Sequence, residues 1–115
     1  MDYQEQVATY RAVSKRLLCA ITSQRLAQAA YEVARDAHDD KRRSLILDGI
    51  PGFRDRSPHD LREAAICRAL APHVQAQRTA REQMRNANAD LESAQAEERM
   101  ERETLRSLHA AHLAQ

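Results

Sequence analysis

The sequence predicts an all-α chain: a long antiparallel helical hairpin of coiled-coil type that completes its helical bundle by dimerisation. Three observations predict it. The 115 residues include only two Gly and three Pro, and only 3% are aromatic, against 30% charged and 43% hydrophobic. That bias toward Ala, Arg, Glu, Gln and Leu is the composition of long helices. Both glycines and one proline fall together in Asp48-Gly49-Ile50-Pro51-Gly52-Phe53, which marks a single turn. Apolar residues on either side of that turn recur at spacings of three and four.

The first helix is expected over residues 2–47. Tyr3, Val7, Tyr10, Leu17 and Ile21 form one apolar stripe. Beyond Ser23 it continues as Leu26, Ala30, Val33 and Ala37, displaced by a residue, as at a heptad stutter. The run from His38 to Arg43 reads as a polar helical turn or a frayed end, and Leu45 and Ile46 as a closing plug. The turn occupies residues 48–57. Gly49 suits the left-handed residue that ends a helix, and Pro51 prevents immediate resumption. Ile50 and Phe53 are expected to pack back onto the helices.

The second helix, residues 58–112, has an explicit start: Ser57 as N-cap, Pro58 at the first helical position and Asp60 at the positive end of the dipole. Its stripe is Ala65, Leu70, Val74, Met84, Ala87, Leu91, Ala94, Leu105 and Leu108, with Gln77 and Glu98 at core slots. Pro72 is expected to kink or break it. The whole chain reads as one helical domain, residues 1–115. Much of its apolar share is Ala, so a lone hairpin has a thin core. Hence the expectation of a homodimer.

The net charge of +1 conceals a pattern. Residues 41–85 are basic on balance, and the segments before and after are acidic. A hairpin gathers the basic middle at the turn and both acidic segments at the other end. No apolar run reaches the length of a membrane span, and Cys19 and Cys67 make no disulfide framework. They read as two small buried residues. The expectation is a cytoplasmic protein with no membrane contact.

Enzymatic chemistry finds no foothold. The histidines at 38, 59, 73, 109 and 112 lack the companions of a metal site; His109 and His112 share a face but want two more ligands. No serine stands in a nucleophile elbow, and no glycine loop cradles phosphate. Neither catalysis, cofactor nor small-molecule substrate is expected. Arginine offers more. Arg42 and Arg43 precede the turn, Arg54 and Arg56 lie in it, and Arg62 follows. With Ile50 and Phe53 they make a basic, partly apolar tip suited to a protein partner. Arg78, Arg81 and Arg85, at i, i+3 and i+7, form an alternative face for sequence-independent nucleic-acid binding through phosphates. Against that, few aromatics are present to stack bases.

The segment Asp48-Gly49-Ile50-Pro51-Gly52-Phe53-Arg54, leading into a capped, Arg- and Ala-rich helix, resembles the central turn of small helical-hairpin proteins encoded by bacteriophages. Those carry a Gly-Lys-Asn type turn followed by Glu-Glu-Arg-Lys-Ala. Gly52 matches the turn glycine, and Arg62 with Ala64 the helix start. Phe53 and Arg54 stand in place of Lys-Asn, and two or three extra residues precede the cap. The resemblance covers about fifteen residues. It implies a phage accessory protein, such as an inhibitor, that acts by binding a host or phage protein.

Overall fold

The structure is a computed structural model, and it describes residues 2–50 and 58–114. It is an all-α helical hairpin of two long helices, α1 (Tyr3–Leu47) and α2 (His59–Ala114). Asp2 caps α1: its Oδ1 accepts the Glu5 amide at 2.8 Å, a donor that a helix start leaves without a partner, and its carbonyl accepts the Gln6 amide at 3.1 Å as the first intrahelical bond. At the other end Gly49 adopts φ +85°, as its position after the helix requires. Ser57 lies outside the described residues. Pro58 accepts the Arg62 amide at 3.1 Å and so closes the first turn of α2.

α2 runs through Pro72 as one helix, neither ending nor restarting there. Proline withholds the amide that the Arg68 carbonyl would accept. Both residues are exposed, so water can take the freed carbonyl, and the helix survives the loss.

Along α1 Tyr3, Gln6, Tyr10, Val13, Leu17, Ala20, Gln24, Ala27, Tyr31, Ala34, His38 and Leu45 are buried or half-buried in one heptad register without a slip, and Val7, Thr9, Ser14 and Ile21 beside them are half-buried too. The stutter expected at Ser23 is therefore absent. Leu26 and Val33, expected to carry the stripe onward, are 67% and 69% exposed, and Ala30 and Ala37 are exposed as well. Gln24, Ala27 and Ala34 hold the seam instead. The polar run at residues 38–43 is helical. Leu45 is buried, but its expected companion Ile46 is 61% exposed. On α2 the expected stripe holds: Ala65, Leu70 and Ala87 are buried, and Val74, Met84, Leu91, Ala94, Leu105 and Leu108 are half-buried.

The chain divides into two compact units, Met1–Leu26 with Arg85–Gln115, and Ala27–Met84. In the first, contacts between Arg16 and Glu97 and between Tyr3 and His109 set an antiparallel register that brings Leu17 level with Ala94 and Ala20 level with Leu91. In the second, Tyr31 meets Arg81, which brings Tyr31 level with Ala80 and Ala27 level with Met84. A large residue on one helix thus faces a small one on the other. That alternation lets the backbones approach closely while filling the gap.

The Gly49 backbone gives a direct test. A Cβ there would meet nothing within 4 Å, so the cost of Gly49→Ala is conformational only. It is expected to lower stability by about 1 kcal/mol, read as a lower denaturant midpoint with unchanged helical circular dichroism.

Candidate functional site

Two regions were marked by the sequence: the turn end and an arginine face on α2. At the turn end, Phe53, Arg54 and Arg56 lie outside the described residues. Ile50 is half-buried, while Arg42, Arg43 and Arg62 are exposed. Arg42 and Arg43 border a depression of about 550 Å³ with Asp39, Ile46 and Leu47. Ile46 and Leu47 are 61% and 75% exposed. Arg43 lies 3.8 Å from Asp40, an exposed pair of little energetic weight. Beside it, Leu45, Gly49, Ile50, His59, Arg62 and Ile66 help line a cleft of about 610 Å³. Leu61, on the first turns of α2, is 56% exposed. The sequence marked the arginines and Ile50 but missed Leu47 and Leu61, which contribute apolar surface here. Their position at the helix ends beside the turn was the available signal.

The arginine face divides differently. Arg78 and Arg81 belong to the second unit, and Arg85 to the first. All three are exposed, but Arg81 flanks the seam. Its Nη2 donates to Tyr31 Oη at 3.3 Å, and its guanidinium lies 5.7 Å from the Tyr31 ring centroid, a cation–π contact. Arg81 is thus turned toward α1. The hydrogen bond from Arg81 holds the Tyr31 phenol below its usual pKa, helped by a second bond from Gln77, because each donor favours the phenolate.

Charge at the turn is also more balanced than the segment count implies. Glu32, Asp36, Asp39 and Asp40 of α1 share the second unit with the basic residues of α2, so the surplus of residues 41–85 is largely offset.

The first unit carries a polar cluster. Gln6 is only 2% exposed, and its Nε2 donates to the Glu101 carboxylate and, at 3.4 Å, to the Glu101 carbonyl. Tyr10 Oη donates to Glu98 Oε1 at 2.9 Å, and Arg102 reaches Glu98 Oε2 at 3.3 Å. Tyr3 stacks on His112, with centroids 5.3 Å apart and 8° between planes, and its Oη lies 3.1 Å from His109 Nδ1. These contacts tie the first turns of α1 to the last turns of α2. All but the Arg102–Glu98 pair, which lies within α2, are contacts across the seam.

Cys19 and Cys67 are both exposed, which corrects their reading as buried residues. Cys19 falls on the outer side of α1, away from the heptad seam. Among the described residues no cluster of three or more His, Cys, Asp or Glu could hold a metal ion. Nor is any helix among them long and apolar enough to cross a membrane.

Compared with protein-family models, with curated proteins and with solved structures, the chain shows no match that would assign it to a family or give it a fold relative.

The Arg81–Tyr31 contact has a measurable signature. Arg81→Ala is expected to raise the Tyr31 titration midpoint toward that of a free tyrosine, since the donor to the phenolate is lost. Carbon-13 tyrosine-labelled NMR titration separates Tyr31 from Tyr3 and Tyr10. An unmoved midpoint would show that Arg81 does not contact the phenol in solution.

Proposed function

We propose that the chain is a non-catalytic, self-associating cytoplasmic interaction protein that captures a protein partner through its turn end. The observation that carries this reading is the pairing of exposed Ile46 and Leu47 with Arg42 and Arg43 around one depression. Interfaces concentrate their binding energy in an apolar centre bordered by arginine. Arginine also favours carboxylates, through its planar fork of donors. The partner that fits is a protein surface with an apolar centre and acidic residues around it. Ile50 and Arg62 extend the same surface; Phe53, Arg54 and Arg56, which the sequence assigns to the same tip, lie outside the described residues. One concrete form of such a role, in line with the resemblance of the turn, is a phage-encoded inhibitor that occupies a host protein.

Nucleic-acid binding is the alternative, and the engagement of Arg81 with Tyr31 weighs against it. It leaves Arg78 and Arg85 as the outward members of that face, one in each unit.

The test compares two assays on the same variants. Arg42→Glu with Arg43→Glu is expected to abolish capture of a partner on an affinity column while helicity stays unchanged. Leu47→Ser is expected to weaken that capture about tenfold or more. Fluorescence anisotropy with labelled duplex, single-stranded DNA and RNA is expected to show no binding at physiological salt. Binding that persists there and fails in Arg78→Glu would replace the protein-partner reading with the nucleic-acid one.

A further inference from the structure

On the side of α1 away from the seam runs a second heptad row. Ala8, Arg11, Lys15, Leu18, Thr22 and Arg25 follow one another at spacings of three and four. Each is displaced from a seam residue by two positions, about 200° around the helix. All six are exposed, Leu18 at 64%, and all belong to the first unit. Three of them are cations, and α1 has no acidic residue between Glu5 and Glu32. Among the described residues Arg11, Lys15 and Arg25 make no ion pair and no side-chain hydrogen bond. Arg16, off the row, is the engaged cation of this stretch: it reaches Glu97 across the seam.

The matching outer row of α2 in this unit is different. Ala89, Glu92, Ala96, Arg99, Glu103 and Arg106 are exposed too, but they alternate acid with base. Two α2 carboxylates flank the α1 row. Asp90 and Glu97 border a hollow of about 460 Å³ with Lys15, Arg16 and Cys19, and Glu97 is taken by Arg16. At the centre of the α1 row, Leu18, Cys19, Thr22 and Ser23 border a hollow of about 340 Å³. Thr22 Oγ1 donates to the Leu18 carbonyl at 3.1 Å. Its hydroxyl is therefore satisfied within the helix, and the hollow can take an apolar side chain.

A row of unpaired cations interrupted by a leucine and a hollow suits another helix of opposite charge. We infer that this face of α1 binds an acidic amphipathic helix of another protein, laid along residues 8–25. The row is about 25 Å long. Carboxylates of the guest meet Arg11 and Lys15 at one end and Arg25 at the other, and an apolar residue between them enters the hollow beside Leu18. A guest helix presents side chains at the same spacings of three and four that the row has. Arginine holds a carboxylate through two parallel donors. The surface is distinct from the turn end, whose residues belong to the second unit.

The charge of the whole unit argues for a protein guest. It holds eight basic and eight acidic side chains, so it has no net charge to draw a polyanion from a distance. The attraction acts at contact, and part of the contact is apolar. Phosphates would meet the three cations and leave Leu18 and its hollow unused. The chain's own α2 row, with bases set between its acids, is a poor guest for the same face.

The test uses the full chain and two labelled synthetic helical peptides. One carries Glu at the positions facing Arg11, Lys15 and Arg25 and Leu facing the hollow; the other has Lys for each Glu. Fluorescence anisotropy at physiological salt is expected to show the acidic peptide bound about tenfold or more tightly than the lysine peptide. Arg11→Glu with Lys15→Glu is expected to weaken the acidic peptide about tenfold or more, and Leu18→Ser to weaken it as well. Adding Arg25→Glu to the first pair is expected to reverse the preference between the peptides, because each charge then meets its opposite. Met100→Ser, on α2, is expected to change neither affinity. Circular dichroism confirms that each variant is helical. Equal affinity for the two peptides, or none for the acidic one, would overturn the inference. Binding lost in Arg42→Glu with Arg43→Glu but kept in Arg11→Glu with Lys15→Glu would move the peptide to the turn end and overturn this face. Labelled duplex DNA bound more tightly than the acidic peptide, and released by the same α1 variants, would overturn the choice of a protein helix.

Discussion

Everything in this molecule depends on a seam in which alanine recurs at seven-residue intervals on both helices. Ala20, Ala27 and Ala34 on α1, and Ala80, Ala87 and Ala94 on α2, occupy the heptad positions where other coiled coils place leucine. Alanine brings the helices close and costs little side-chain entropy, but each one contributes little apolar burial. Residues filling from the opposite helix, such as Leu17, Tyr31, Met84 and Leu91, supply most of the remainder. Within such a seam a polar side chain cannot be left unmatched. Gln6, the most enclosed polar residue, is matched by Glu101, and among the described residues no buried side-chain polar atom lacks a partner.

Those polar contacts also specify how the helices align. An alanine seam by itself tolerates sliding by a heptad, since one alanine layer resembles the next. Gln6 with Glu101, Tyr10 with Glu98 and Tyr3 with His109 and His112 in the first unit each demand one register. In the second unit Tyr31 with Arg81 makes the same demand. A buried polar layer that gives register at some cost in stability is a recognised device in coiled coils.

The sequence revealed the hairpin and most of the α2 seam, because there the larger apolar residues and the heptad coincide. It misled on α1, where they diverge. Following hydrophobicity past Ser23 leads to Leu26 and Val33, which face outward. Following the seven-residue period leads from Tyr10 and Leu17 to Gln24 and Tyr31, which face inward. Period was the better guide, since a helix in a continuous supercoil cannot shift its seam without an inserted residue. Cys19 was misplaced for a related reason: its type suggests burial, while its register, seven residues before Leu26, puts it outside. Arg81 was grouped with Arg78 and Arg85 by spacing alone. Only the partner across the seam, Tyr31, shows that it is already engaged.

The misreading of α1 is itself informative. The seam keeps Tyr10, Leu17 and Tyr31 among its alanines, while Leu26 and Val33 lie exposed outside it. Exposed leucine and valine are ordinary when scattered. The turn-end surface, with Leu47 and its arginines, is different in kind. There Ile46 and Leu47 share one depression with Arg42, Arg43 and Asp39, so exposed apolar area and charge lie together. That gathering at one place, rather than exposure alone, separates a candidate contact surface from scattered apolar residues.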